Sequence, residues 1–265
     1  MRVDGTSRNK QKGVWTMKRL KLIACKVLYR EVCLLSANSE SVVDVTYFQQ
    51  GLHNHPDRLN AALQEEIDRI DAGEDLYSCD PSGGLDFDAI LLGYGLCSNA
   101  ICGIKSNKYK VVVPRAHDCV TLFLGSKEKY KTYFDSRSGG VYWYTGGWID
   151  NLLMPSKDRA DAMLKKYSEL YDEESAAYLL ETEQGWHNQY NACAFVDWPE
   201  LDNKRYVEYT KQCADYLGWD FELLAGDSKL LADFLSGNWD EENFLVLEPG
   251  QSIEMSYDDD IICYK

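Results

Sequence analysis

The stretch 88-DAILLGYGLCSNAICGIKSNKYKVVVPRAHDCVTLFLG-125 decides how this chain of 265 residues is read. It holds two mostly apolar runs, Ala89 to Leu92 and Lys110 to Val113, each short enough for a buried strand and each leading into a cysteine-bearing segment. Outward from it, KRLKLIAC carries a third run, Leu20 to Ala24, that ends at Cys25. Short buried strands alternating with helical patterns predict an α/β fold, a mainly parallel sheet flanked by helices in Rossmann-like layers. Residues just past the carboxyl ends of such strands converge on a ligand crevice, so Cys25, Cys97 and Cys119 are expected to meet there.

Composition narrows the function classes. A net charge of −15 repels phosphate backbones and anionic lipid at long range, so nucleic acid and membrane surfaces are poor partners, and a small-molecule substrate is expected instead. No apolar run approaches the ~20 residues of a membrane helix. Residues 1–17 are polar and lack the apolar centre of a secretory signal; they read as a disordered or over-called tail, with Met17 as the start. Nine cysteines without a signal favour free or metal-bound thiols in a cytoplasmic setting. Residues 18–265 read as a single α/β domain, or as two lobes, 18–150 and 151–265.

Along the chain, Tyr29 to Ser36 reads as a helix that buries Cys33, and Val42 to Phe48 as a second strand. GLHNHP places His53 and His55 in a loop ahead of a helix whose stripe is Leu59, Leu63, Ile67 and Ile70. The loop 71–86 holds Cys79, which is left out of the site. Gly93 and Gly95 let the backbone turn sharply around Tyr94, and Ser98 or Asn99 is expected to cap a helix that would set Cys97 near its N-terminus. Cys102 is given a packing role. In PRAHDC, His117 and Cys119 stand in an H-x-C arrangement that puts imidazole and thiolate on one side of an extended segment. Asp118 can orient a ligand and Arg115 can bind an anionic group.

Beyond Gly125, VYWYTGGWID reads as a strand and loop. Helices are predicted over Ser156 to Leu170, Glu173 to Cys193 and Lys204 to Leu217, and FELLAGDSKLLADFLSG repeats the strand, glycine turn and helix grammar. Phe244 to Leu247 is a last strand.

The order IAC…RE…LH-x-x-P…YGLC…HDC…LG, followed by GD-x-x-LL-x-x-x-L-x-G-x-W, resembles the domain-of-unknown-function family DUF1638 from about Lys18 to Gly250. It maps onto Cys25, Glu31, His53, Pro56, Tyr94, Gly95, Cys97, His117 and Cys119. That resemblance implies a setting of one-carbon metabolism rich in corrinoid-dependent methyl transfer, and hence a corrinoid protein or methyltransferase as a partner.

Three readings of the site remain open. In one, Cys25, Cys97 and Cys119, with His53 or His117 nearby, hold zinc in a metal-dependent methyltransferase. In another, the three thiolates hold a [4Fe–4S] cluster with one iron open to substrate, as in a lyase or reductase. In the third, the protein is a metallochaperone or accessory subunit. The catalytic set is His117, Asp118 and Tyr94; Gly93, Gly95 and Arg115 shape the binding crevice; Cys25, Cys97, Cys119 and His53 are the metal ligands.

Overall fold

The computed structural model describes residues 17–74, 86–138 and 140–265. All of the tail read at 1–17 but Met17, and the part of the loop that carries Cys79, lie outside the described residues.

The chain opens with β1 (Arg19–Cys25), α1 (Tyr29–Asn38), β2 (Val42–Phe48), α2 (Pro56–Asp71), β3 (Ala89–Gly93) and β4 (Lys110–Pro114). It continues with α3 (Val120–Leu124), α4 (Lys127–Ser136), β5 (Val141–Tyr144), α5 (Gly146–Asn151), α6 (Lys157–Ser168), α7 (Glu173–Gln184) and β6 (Ala192–Asp197). It closes with α8 (Lys204–Leu217), β7 (Asp220–Ala225), α9 (Lys229–Ser236), β8 (Phe244–Leu247), β9 (Ile253–Met255) and β10 (Ile262–Tyr264).

The predicted α/β architecture is present. The central sheet has the order β2-β1-β3-β4-β8, parallel over its first four strands, with β8 antiparallel against β4. β3 is buried along its whole length and β1 on all but its first residue, which is why their sequences read as apolar runs without alternation. From β1 the chain moves to β2 on one side and then to β3 on the other. The order therefore reverses between β1 and β3, and in a doubly wound sheet that reversal opens a crevice beyond the carboxyl ends of the two strands.

A second parallel sheet, β5-β6-β7, stands apart from the first, and β9 pairs with β10 as an antiparallel ribbon. The main core joins β1, β3 and β4 to α2, α3, α9 and β8, while a smaller one gathers Tyr144, Cys193, Phe195, Tyr206 and Cys213. The chain thus leaves the first sheet after α4, builds the second, and returns through α9 and β8.

Three local expectations are corrected. Cys33 is exposed, because α1 turns Val32 and Glu31 inward and the next residue points about 100° away. The helix read from Glu173 to Cys193 stops at Gln184; a 3₁₀ turn over Gly185–Gln189 leads into β6, whose run from Ala192 to Val196 is fully buried and carries Cys193 as a strand residue. No helix follows Cys97. Cys97, Ser98 and Asn99 all adopt left-handed backbone, with φ of 46°, 59° and 64°, and the link from β3 to β4 runs through turns. Consecutive left-handed residues cannot start a right-handed helix, so the helix-dipole argument for Cys97 falls with it.

Candidate functional site

The site is built from three strand exits. β1 ends on Cys25, β3 passes through Gly93 into Tyr94-Gly95-Leu96-Cys97, and β4 passes through Pro114 into the segment that reaches Cys119. Two backbone bonds lock the second and third exits side by side: Leu96 N–H donates to the Ala116 carbonyl at 2.8 Å, and Cys97 N–H to the His117 carbonyl at 3.1 Å. Gly95 makes that approach possible, since a Cβ there would stand 2.6 Å from the Asp118 backbone. Gly93 serves the neighbouring contact, where a Cβ would come within 2.7 Å of Ala24.

This framework brings the three predicted cysteines together. The Cys97 and Cys119 sulfurs are 3.8 Å apart, and Cys119 also shares a thiol hydrogen bond with Cys25. Cys119 is therefore the middle of a row. Cys25 and Cys119 are only 6% and 7% exposed, whereas Cys97 is half-buried and forms the open end. The hydrogen bond to Cys119, and burial after it, push the Cys25 thiol far above the usual range, and Cys119 is held well above it too by its bond to Cys97 and by burial. Without a cation the Cys25 and Cys119 sulfurs stay protonated. All eight cysteines among the described residues are free thiols. Among the same residues no group of three or more His, Cys, Asp or Glu side chains is placed to hold a metal ion.

Tyr94 neighbours all three sulfurs. Its phenol is 3% exposed, its hydroxyl feels all three sulfurs electrostatically, and it makes no hydrogen bond. Burial, followed by the nearby thiols, raises its pKa well beyond the ordinary phenol value.

The other predicted residues stand around this centre. His53 sits exposed in the 3₁₀ turn Leu52–Asn54; partial desolvation lowers its pKa, and neighbouring Asp118 opposes that shift. Asp118 accepts from Val120 N–H at 2.8 Å and from Tyr130, and burial lifts its carboxyl above the usual range despite those bonds. His117 is exposed and lines a cleft of about 460 Å³ with Lys127, Lys131, Glu242 and Asp259. The segment around Cys119 bends into α3 and is not extended, so the strand geometry expected for the H-x-C pair is absent. Arg115 donates to the carbonyls of Glu241, Asp260 and Ile262, so its guanidinium ties the C-terminal segment to the exit of β4.

Sequence reasoning gave no role to three further polar side chains that lie buried beyond the same sheet edge. Glu31, Gln50 and Thr121 follow β1, β2 and β4 and are 3%, 6% and 1% exposed, and each has at least one polar atom without a hydrogen-bond partner. Burial raises the Glu31 carboxyl to about 7. The only local signal was a polar residue soon after an apolar run, as in Phe48-Gln-Gln50 before the left-handed Gly51.

Among the described residues no helix is long and apolar enough to cross a membrane. No curated protein and no solved structure matches the chain. A family described as a protein of unknown function, DUF1638, matches residues 47–235, a span that includes Tyr94, Cys97 and Cys119 and begins after Cys25. That span covers well over half of the sequence, and the chain belongs to the DUF1638 family.

Proposed function

We propose that Cys25, Cys97 and Cys119 hold one zinc ion through three thiolates, with the fourth position open, and that the loaded site acts on a small-molecule substrate. The observation that carries this reading is the 3.8 Å between the Cys97 and Cys119 sulfurs. Two ligands on a tetrahedral ion with Zn–S bonds of ~2.3 Å stand ~3.8 Å apart. In a [4Fe–4S] cluster each thiolate takes a different iron at its own corner, which holds the sulfurs farther apart, so the single ion is favoured. Two buried sulfurs and one half-buried one suit a resident ion better than a cargo ion handed on by a chaperone. Zinc in this place supplies a Lewis acid and stabilises thiolates at neutral pH. Methyl transfer is the chemistry proposed for such a centre, suggested by the resemblance noted in the sequence.

Loading releases protons from the Cys25 and Cys119 thiols, so affinity should fall as pH drops. The test is metal analysis of anaerobically purified protein, with Cys97→Ala and Cys33→Ala beside the native chain. We expect about one zinc per native chain, none in Cys97→Ala, and native content in Cys33→Ala. Brown protein with iron and sulfide would replace zinc by the cluster, and equal metal in both variants would remove the site.

A further inference from the structure

The Cys97 and Cys119 sulfurs lie 3.8 Å apart, in direct contact. A disulfide bond is ~2.05 Å long, so the pair stands ~1.8 Å short of bonding, a gap that side-chain rotation closes. Their backbones are already held for it: Leu96 N–H bonds to the Ala116 carbonyl at 2.8 Å and Cys97 N–H to the His117 carbonyl at 3.1 Å, and Gly95 lets the two segments lie this close. The thiols differ in access, because Cys119 is 7% exposed and Cys97 is half-buried. Thiol–disulfide exchange suits that asymmetry, with one sulfur open to a small reagent and a second, shielded one touching the first.

We infer that Cys97 and Cys119 form a dithiol that reduces a low-molecular-weight disulfide, RSSR, with Cys97 as the attacking sulfur and Cys119 as the resolving one. In the first step the Cys97 thiolate attacks one sulfur of RSSR; the Cys97–SR bond forms, the RS–SR bond breaks, and one RS⁻ leaves with the proton that Cys97 gave up. In the second, Cys119 loses its proton and attacks the Cys97 sulfur; the Cys97–Cys119 bond forms, the Cys97–SR bond breaks, and the second RS⁻ takes the Cys119 proton. Two electrons and two protons pass from the protein to RSSR, which ends as two RSH. The order follows from access, since the enclosed Cys119 meets the reagent only through Cys97. Contact between the two sulfurs makes the second step intramolecular, so the mixed disulfide is short-lived. The enclosed Cys25, hydrogen-bonded to Cys119, is a positioning residue. A net charge of −15 favours a neutral or cationic disulfide over an anionic one. The exchange stands apart from the zinc reading: it needs the sulfur contact and no ion, and two sulfurs bonded to each other can no longer ligate zinc as thiolates.

The test takes the full chain, measures its zinc, strips metal with a chelator, and adds the neutral bis(2-hydroxyethyl) disulfide under nitrogen. Remaining thiols are blocked with iodoacetamide, and the tryptic peptides are mapped by mass spectrometry. The native chain should release two molecules of 2-mercaptoethanol per bridge formed and link the peptide Ala116–Lys127 to Cys97. Cys119→Ser should stop at a mixed disulfide on Cys97. In Cys97→Ser, Cys119 should be modified at least about tenfold less than in the native chain, because the reagent cannot reach it. Cys33→Ser, which removes an exposed thiol outside the row, should leave the bridge yield unchanged. An unmodified Cys97, a mixed disulfide on Cys97 that persists in the native chain, or a bridge from Cys119 to Cys25 in place of Cys97 would overturn the exchange. All three are read on the native chain, so a variant that fails to fold does not decide the matter. Zinc content keeps the two readings apart: a bridge in a chain that binds no zinc removes the zinc site alone, and a zinc-binding chain that forms no bridge once stripped removes the exchange alone.

Discussion

The two parallel sheets carry the same residue types to different ends. In the smaller one, Cys193 lies within β6 and Cys213 within α8, both fully buried, and Tyr144 packs between them with its hydroxyl donating to the Pro155 carbonyl at 3.0 Å. Burial lifts these thiols to about 12 and about 11, and each shares a side-chain hydrogen bond with a tyrosine, Cys193 with Tyr144 and Cys213 with Tyr209 and Tyr144. In the larger sheet the cysteines stand past the strand ends, touch one another, and sit beside a tyrosine with no partner. A buried cysteine with a nearby tyrosine therefore means little in itself. Its position along the strand separates packing from chemistry: inside an element the backbone fixes the sulfur against apolar neighbours, whereas beyond the carboxyl end several connections can deliver sulfurs to one place.

The largest blow to the pair would fall on their joint. A Cβ on Gly147 would stand 1.8 Å from the Val27 carbonyl oxygen, between the turn after β1 and the start of α5. Gly147→Ala should cost ~3 kcal/mol or more and lower the urea midpoint of the whole protein; a midpoint within error of native would mean that the two sheets are not coupled through this contact.

Next comes Glu31, on the larger sheet's side of the joint. Its carboxyl is raised by burial from 4.5 to about 7, so the neutral form is the one the fold favours. The stability linked to that proton is complete below pH ~4.5, is lost progressively as pH rises through 7, and amounts to on the order of 3 kcal/mol. Denaturation measured from pH 5 to 8 should show the decline in the native chain and a flatter profile in Glu31→Gln. Parallel profiles would show that the carboxyl finds a partner.

Cys193→Ala sharpens the contrast between the sheets. It should lower stability by ~1–3 kcal/mol through lost packing and leave metal content at the native level, the reverse of Cys97→Ala. If Cys193→Ala also lost metal, position along the strand would no longer separate the two sets. The smallest effect belongs to Cys33→Ala, an exposed thiol, within ~0.5 kcal/mol of native by the same denaturation measurement.

These contrasts also explain which features were legible in the sequence. β1, β3 and β4 showed themselves as short apolar runs because both faces of each are covered, and the placing of cysteines after them was enough to bring Cys25, Cys97 and Cys119 to one edge. The left-handed turn at Cys97 was hidden, because Ser98 and Asn99 are as typical of helix caps as of positive φ. β6 was masked by the helical pattern that runs up to it. The buried Glu31, Gln50 and Thr121 were invisible for a different reason: whether a polar side chain meets water depends on what the rest of the chain lays over it, and no local pattern records that.

The antiparallel strand at the end of the central sheet has a consequence in time as well as in space. β1 to β4 are complete once Pro114 has been synthesised, but β4 gains its outer neighbour only when Phe244–Leu247 emerges, and Arg115 finds the Ile262 carbonyl later still. During translation the β4 edge therefore stays open while about 130 residues, the whole second sheet among them, are added. A nascent chain halted anywhere in that interval would expose a Val-Val-Val edge ready to pair with another chain.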